Sequence, residues 1–237
     1  MKRSVLTLKQ HAYESILDRV QTGQFAPGMR LSDELLAGEL GVSRSPVREA
    51  ILQLSAEGII EQRPRQGAFI RMPDRKSLSS EFELRLALEP FAAGKAAERR
   101  SDADMKKLRD LTIRMEKLAK EAVESDLDIT DPALRLKCLE CDDRSHILIV
   151  KMIQNERVSE VIRVGQIVMR IFSLAVHRPS PEAMLESSQQ HREFVDAIED
   201  RDAKRASEAM AQHIEFGANN LLGLYDKMGE NGEISEL

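Results

Sequence analysis

The spacing of apolar residues changes once along the chain. Up to residue 76 it predicts three short helices followed by a β-hairpin, and after that it predicts long helices with no strand-like alternation. The short helices are expected over residues 8–22, from Ser32 to Gly41 and from Ser43 to Leu54. The long helices are expected over residues 77–100, 103–124, 131–154, 156–177, 181–199 and 202–228. The pattern therefore predicts a mainly α protein that ends in an antiparallel all-helical bundle.

Length and charge favour two domains. A chain of 237 residues suits two cores better than one, and Met72–Lys76 looks like a linker. We expect an N-terminal domain over residues 1–73 and a helical domain over 74–237. The first 76 residues carry 12 basic and 9 acidic side chains, whereas the remainder has a net charge of −8. A basic first domain in an acidic protein indicates a polyanionic partner for that domain alone.

The second and third helices of the N-terminal domain form a helix-turn-helix pattern around Gly41. Ser32 is expected to cap the second helix, and Ser43 is expected to cap the third. The apolar faces of the two helices are predicted to comprise Leu35, Leu36 and Leu40 in the second and Val47, Ala50, Ile51 and Leu54 in the third.

The start of the third helix carries side chains suited to nucleic acid. Arg44 and Arg48 are four residues apart and share the outer face, with Ser43 and Ser45 beside them. Arginine binds guanine O6 and N7 or a phosphate, and serine bonds to phosphates or base edges. The hairpin that follows, residues 58–71, is the size of a wing and is basic. The alternative for any one arginine is a solvated surface position.

These residues resemble the GntR family of bacterial regulators. The similarity lies in the runs Pro27–Ser32, Leu40–Ile51, Glu57–Gly58 and Gly67–Phe69. It implies a winged helix-turn-helix fold and a set of operator contacts. Glu34-Leu35 departs from the basic or polar residues that many relatives carry there, so no contact is assigned to that pair. The operator-contacting residues implied are Arg30, Ser43, Arg44, Ser45, Arg48 and, at the wing tip, Gly67.

Three histidines of the helical domain lie on apolar helix faces. They are His146, His191 and His213, and Asp142 precedes His146 by one helical turn. Imidazole nitrogens with a carboxylate suit a divalent transition metal, Zn²⁺ first, with Ni²⁺, Mn²⁺ or Fe²⁺ as alternatives. The competing interpretation is that each histidine is buried and hydrogen-bonded separately.

The same pattern resembles the FCD ligand-binding domain, which follows a GntR domain in the FadR subfamily. The resemblance matches Asp142 and His146 to that domain's Asp-x-x-x-His helix, and His191 and His213 to its later histidines. It also implies that Arg85 binds the carboxylate of an effector. The alternative for Arg85 is a surface salt bridge with Glu81 or Glu89 on its own helix.

Together these patterns predict a transcription regulator. We expect a homodimer that binds double-stranded operator DNA, represses transcription and responds to a small organic acid at the metal site. Two rivals are a metal-dependent enzyme, which would leave the DNA-binding domain unexplained, and a regulator whose metal is purely structural. Neither a signal peptide nor a membrane-spanning run is evident, so a cytoplasmic location is expected. Cys138 and Cys141 lack a second cysteine pair and are interpreted as two thiols on a helix.

Overall fold

Nine helices and three short strands make up the regular structure in the part of the chain that this computed structural model describes, residues 7–72, 74–125, 131–175 and 179–230. Contacts divide these residues into two compact units. The first unit contains the residues up to Met72 and also Ile167–Ala175. The second contains the remaining helices. In chain order the elements are α1 (Leu8–Gln21), β1 (Arg30–Leu31), α2 (Asp33–Leu40), α3 (Arg44–Ala56), β2 (Ile60–Arg63), β3 (Gly67–Ile70), α4 (Arg75–Arg99), α5 (Asp102–Glu124), α6 (Pro132–Met152), α7 (Glu156–Ala175), α8 (Pro181–Glu199) and α9 (Ala203–Glu230).

Helices α2 and α3 form the predicted helix-turn-helix, and Gly41 makes the turn. Its φ of 65° is left-handed, which glycine adopts without strain, and its amide bonds back to the end of α2. Ser32 caps α2 as expected by accepting a hydrogen bond from the Leu35 amide at 3.3 Å. Two predictions were wrong in detail. Ser43 occupies the cap position of α3 but makes no side-chain cap hydrogen bond, and Leu35 is 69% exposed rather than part of the apolar face.

The predicted hairpin is present and acquires a third strand. The antiparallel order is β1-β3-β2, with Arg30 opposite Phe69 and Arg63 opposite Gly67. Strand β1 has only two residues, which is too short for an alternating pattern to reveal it. Gly67 has a φ of 106°, a conformation that side chains rarely tolerate. The β2–β3 hairpin is called the wing below.

The core of the first unit forms on the apolar faces that the sequence predicts for α1 and α3. Ile16, Val47 and Leu54 are fully buried there, and Ile167 and Ile171 from the second half of α7 join the same cluster. Closing this core fixes α3 with its opposite face exposed.

The second unit is built from long helices. Helix α4 packs against α6, α8 and α9, while α5 packs against α6 and α8. Asp74, Ser101, Asp131 and Ser180 cap four of these helices, each by accepting hydrogen bonds from first-turn amides. The helix ends lie within about two residues of those predicted, and residues 176 and 177 of the predicted 156–177 helix lie outside the described residues. Helix α4 begins at Arg75, inside the stretch interpreted as linker. Cys138 and Cys141 are free and buried in the apolar core between α5 and α6.

No helix in the described ranges is long and apolar enough to cross a lipid bilayer.

Candidate metal centre and DNA-binding surface

Three helices of the second unit bring the four predicted ligand side chains together. Asp142 and His146 lie one turn apart on α6, His191 lies on α8 and His213 on α9. The three histidines are at most 5% exposed. Because His191 is 49 residues from Asp142 and His213 is 67 residues from His146, only the packing of the helices could join them.

The ligand atoms converge on the carboxylate of Asp142. Its Oδ1 is 2.9 Å from His191 Nε2, 3.8 Å from His213 Nε2 and 3.9 Å from His146 Nε2. The Nε2 atoms of His146 and His213 are 3.3 Å apart, and all four ligand atoms lie within 4.8 Å of one another. Two ligands of one Zn²⁺, each about 2.1 Å from it, lie at most about 4.2 Å apart. The described residues therefore fit a divalent ion with only small side-chain adjustment.

The protonation states in this cluster also suit a metal. Burial acts to raise the pKa of Asp142, but the neighbouring His146 and the hydrogen bond from His191 outweigh it and hold that pKa far below its ordinary value. Burial lowers the pKa of His191, and burial with the two other histidines lowers that of His213 still further. An ionised Asp142 beside neutral His191 and His213 suits metal binding, with the proton of His191 moving from the Nε2 that donates to Asp142 to Nδ1 when the ion binds.

Arg85 lies on α4 with its side chain 11% exposed. Its Nε donates to Glu89 Oε1 at 2.7 Å, so the ion pair named as the alternative does form, but it is buried rather than on the surface. Arg85 is also close enough to the cluster to lower the pKa of His191 and to be influenced by Asp142. The ion pair with Glu89 therefore leaves the Arg85 side chain close to the cluster.

Acidification is expected to destabilise the metal-free protein. Since burial holds the pKa of His213 well below its ordinary 6.5, folded His213 stays neutral while the unfolded residue takes up a proton. The unfolded state then binds more protons, so the free energy of unfolding falls as pH falls through about 6.5, by about 2 kcal/mol at about pH 5 for a histidine that stays neutral. Urea unfolding of metal-free protein between about pH 7.5 and 5 measures this slope. The lowered pKa of Asp142 acts only below about 3.8, outside that window.

The matched control uses the exposed His11 of α1. His213→Gln should reduce the pH dependence of the unfolding free energy, with the lowered pKa of His191 accounting for a remaining slope, whereas His11→Gln should behave as the unaltered protein. A stability of the unaltered protein that does not change between these pH values would contradict the prediction.

In the first unit, the outer face of α3 presents the two predicted arginines. Arg44 and Arg48 are 49% and 60% exposed, and both pair with Asp33 at the start of α2. Arg44 Nη2 is 2.9 Å from Asp33 Oδ1, and Arg48 Nε is 2.5 Å from Oδ2. Hydrogen bonds and charge from the two arginines outweigh burial and lower the pKa of Asp33, which keeps it ionised. One carboxylate therefore holds both guanidinium groups side by side on the exposed surface.

The other predicted DNA-contacting residues are exposed in the same unit. Ser43 and Ser45 flank Arg44 at the start of α3, and Ser45 Oγ donates to Glu49 at 3.3 Å. Arg30 lies on β1, and its guanidinium Nε would be 3.5 Å from a side chain placed at Gly67. The backbone of the wing tip and the Arg30 charge therefore lie together.

Three polar residues of these sites were not identified from sequence. Asp33 precedes a basic helix start, which is the only signal in the sequence for its pairing with Arg44 and Arg48. The sequence suggests Glu89 only as a partner for Arg85, yet its Oε2 lies 2.5 Å from His146 Nδ1, a contact across 57 residues. Gln190 Oε1 lies 3.2 Å from His213 Nδ1, and its position beside His191 was the only available signal.

Comparison with known proteins agrees with this architecture. The model of the gntR family of bacterial regulatory proteins matches residues 8–70, and the FCD domain model matches residues 81–216. The fold is similar to that of McbR/YncC from Escherichia coli, with a TM-score of 0.75 at 20% identity over 94% of this chain and 99% of that one. A regulator described as GntR from Rhodococcus gives a TM-score of 0.73 at 20% identity, covering 91% of this chain and 97% of that one.

Proteins similar to this chain in sequence are also described as transcriptional regulators. The Nta operon transcriptional regulator of Aminobacter aminovorans is 30% identical over 139 residues, which span 59% of this chain and 60% of that protein. The HTH-type transcriptional repressor RspR of Escherichia coli is 26% identical over 191 residues, 80% of this chain and 78% of that one. With one family model over the winged helix-turn-helix and another over more than half of its length, the chain belongs to the GntR family of transcriptional regulators, in the FadR-like group with an FCD domain, and is not an enzyme.

Proposed function

We propose that this regulator is a homodimeric repressor whose DNA binding is controlled by a small organic acid bound at a metal centre in its helical domain. The observation that carries the proposal is the convergence of three buried histidine Nε2 atoms on the carboxylate of Asp142. A regulator that needed only a packed bundle would gain little from burying three imidazoles, since apolar side chains stabilise a core without desolvating polar atoms.

The exposed face of α3 is proposed to enter the major groove. There Arg44 and Arg48 would contact guanine edges or phosphates, and Ser43 and Ser45 would bond at the helix start. Arg30 would hold a phosphate next to Gly67, where the missing side chain lets the wing backbone approach the DNA. Asp33 already pairs with both arginines of α3 before DNA arrives, which restricts their side chains and reduces the entropy lost on binding.

Two copies of the N-terminal domain are proposed to bind one palindromic operator. Linking two such domains multiplies modest half-site affinities by the effective concentration of the second one. The half-sites would then be separated by one helical turn of DNA or a multiple of it.

The effector is proposed to be an organic acid, because the site offers it two kinds of attraction. Asp142, His146, His191 and His213 would hold Zn²⁺, or alternatively Ni²⁺, Mn²⁺ or Fe²⁺. Such an ion, when bound, supplies a Lewis acid for carboxylate oxygens. Arg85 adds a guanidinium beside the cluster, suited to a second carboxylate oxygen. For Arg85 to bind the effector, it must exchange part of its pairing with Glu89 for pairing with the effector.

Relief of repression is the proposed response, with activation as the alternative. The name of the relative RspR, a transcriptional repressor, supports this choice. Effector and operator must then affect each other's affinity equally, because coupling between two binding sites is reciprocal.

The experiment that tests the regulator is capture of its operator. Purified protein is incubated with sheared genomic DNA of the source organism, and the bound fragments are recovered and sequenced with and without added Zn²⁺. We expect the fragments to share a short palindrome, because a dimer reads two inverted half-sites. Binding that stays independent of sequence in both conditions, and disappears with added salt as purely electrostatic binding does, would contradict the proposal.

A further inference from the structure

Glu89 is a buried carboxylate surrounded by hydrogen-bond donors. Its side chain on α4 is 1% exposed. Oε1 accepts from Arg85 Nε at 2.7 Å and from Gln166 Nε2 at 3.3 Å, while Oε2 lies 2.5 Å from His146 Nδ1. Because Arg85 and Gln166 approach through N–H groups that can only donate, this position requires a group that only accepts, which is an ionised carboxylate. Burial alone would raise the pKa of Glu89, but Arg85 and His146 bring it to about 2.

The contact with His146 determines which ring nitrogen faces the ligand cluster. A carboxylate on Nδ1 requires that nitrogen to carry the proton, so the lone pair of the neutral ring is on Nε2. That Nε2 is the atom 3.3 Å from His213 Nε2 and 3.9 Å from Asp142 Oδ1. We propose that Glu89 is the positioning residue of the metal centre, which fixes the tautomer and orientation of His146. This inference rests on the proposed function, in which the cluster holds a divalent metal.

The three histidines differ in what supports them. His146 has a carboxylate on Nδ1 and His213 has the amide oxygen of Gln190 there, whereas the buried Nδ1 of His191 has no acceptor among the described residues. A charged acceptor orients the ring more strongly than a neutral one and makes the opposite nitrogen a better electron donor. Among the described residues that hydrogen-bond to the three histidines, Glu89 is therefore the one whose loss should reduce metal affinity most.

The position of Glu89 also connects the two halves of the proposed effector site. The same carboxylate contacts a metal ligand, His146, and the proposed effector-binding residue, Arg85. Any change in how Arg85 is paired is therefore transmitted through Glu89 to the hydrogen bonding of His146.

The test compares Glu89→Gln with Glu83→Gln in the full chain. The two variants carry the same substitution on the same helix, but Glu83 is exposed. Zn²⁺ affinity is measured by competition with a chelating dye, and the absorption spectrum of bound Co²⁺ is recorded for each protein. We expect Glu89→Gln to bind Zn²⁺ about 10- to 100-fold more weakly and to shift the Co²⁺ bands, because the geometry and donor strength of His146 change. Glu83→Gln should match the unaltered protein in both. A general loosening of the fold would weaken binding without moving the bands of the Co²⁺ that is bound.

The outcomes separate this inference from the function on which it rests. If the unaltered protein binds no Zn²⁺, the metal proposal fails and this inference fails with it. If the unaltered protein binds Zn²⁺ and Glu89→Gln binds it equally well, only the role of Glu89 is overturned.

The substitution Glu89→Gln also changes the contact with Arg85, because it places an amide there. A second measurement therefore uses the unaltered protein. Nitrogen NMR of the zinc-loaded, unaltered protein should show His146 ligating through Nε2 with its proton on Nδ1, and ligation through Nδ1 would overturn the proposal.

Discussion

Replacing Arg44 and Arg48 together by alanine is expected to abolish operator-specific binding. Each arginine that pairs with a guanine edge contributes about 1–3 kcal/mol of discrimination, so the double variant should lose roughly 2–6 kcal/mol, or about 30-fold to more than 10⁴-fold in affinity. The fold should survive, since both side chains are about half exposed or more and alanine favours a helix. Titration of the captured operator and of a scrambled duplex at fixed salt measures the loss.

A lysine pair provides the control for charge. Arg44→Lys with Arg48→Lys keeps both positive charges but loses the two-pronged geometry of guanidinium. This variant should keep the salt dependence of non-specific binding while losing preference for the operator over the scrambled duplex. Operator binding by the alanine variant that matches the unaltered protein would show that α3 is not the recognition helix.

Much of the fold follows from the apolar pattern, and the deviations have local causes. Apolar residues that recur about every 3.6 positions, and so share one helix face, are enough to predict α3. Two of them, Val47 and Leu54, are fully buried. The same pattern predicts Leu35 inside, although it sits in an eight-residue helix whose buried residues are Leu36 and Ala37. Strand β1 forms because Arg30 and Leu31 find a partner in β3. Such pairing depends on contacts distant in sequence, which no local pattern contains.

The meeting of the three histidines was predictable because they share a property visible in sequence. His146, His191 and His213 each lie on an apolar helix face, so folding had to turn them inward, and the structure brings their Nε2 atoms together. Glu89 has no such signal, since a glutamate four residues after Arg85 is as easily explained by a surface ion pair. Its burial and its contact with His146 arise only when α4 packs against α6.

Removing one ligand is expected to abolish stabilisation by metal. A ligand that binds only the folded state stabilises it by an amount that grows with its concentration over Kd, about 4 kcal/mol at about 1,000-fold excess. Zn²⁺ should therefore raise the thermal unfolding midpoint of the unaltered protein. His191→Ala should show almost no such rise, because His191 supplies one of four convergent donors and is also the residue hydrogen-bonded to Asp142, at 2.9 Å. Thermal unfolding with added Zn²⁺ and with a chelator gives both midpoints.

The exposed His11 again provides the control, since His11→Ala removes an imidazole that could bind Zn²⁺ nonspecifically at the surface. That variant should keep the full rise in midpoint.

The oligomeric state of His191→Ala, measured by sedimentation, separates two roles of the metal. A variant that stays dimeric and still binds the operator, but no longer responds to an organic acid, fits a metal that takes part in sensing. A variant that dissociates to monomers fits a structural metal. An equal rise in midpoint for His191→Ala and the unaltered protein would mean that Zn²⁺ binds elsewhere, and that the buried cluster only stabilises the bundle.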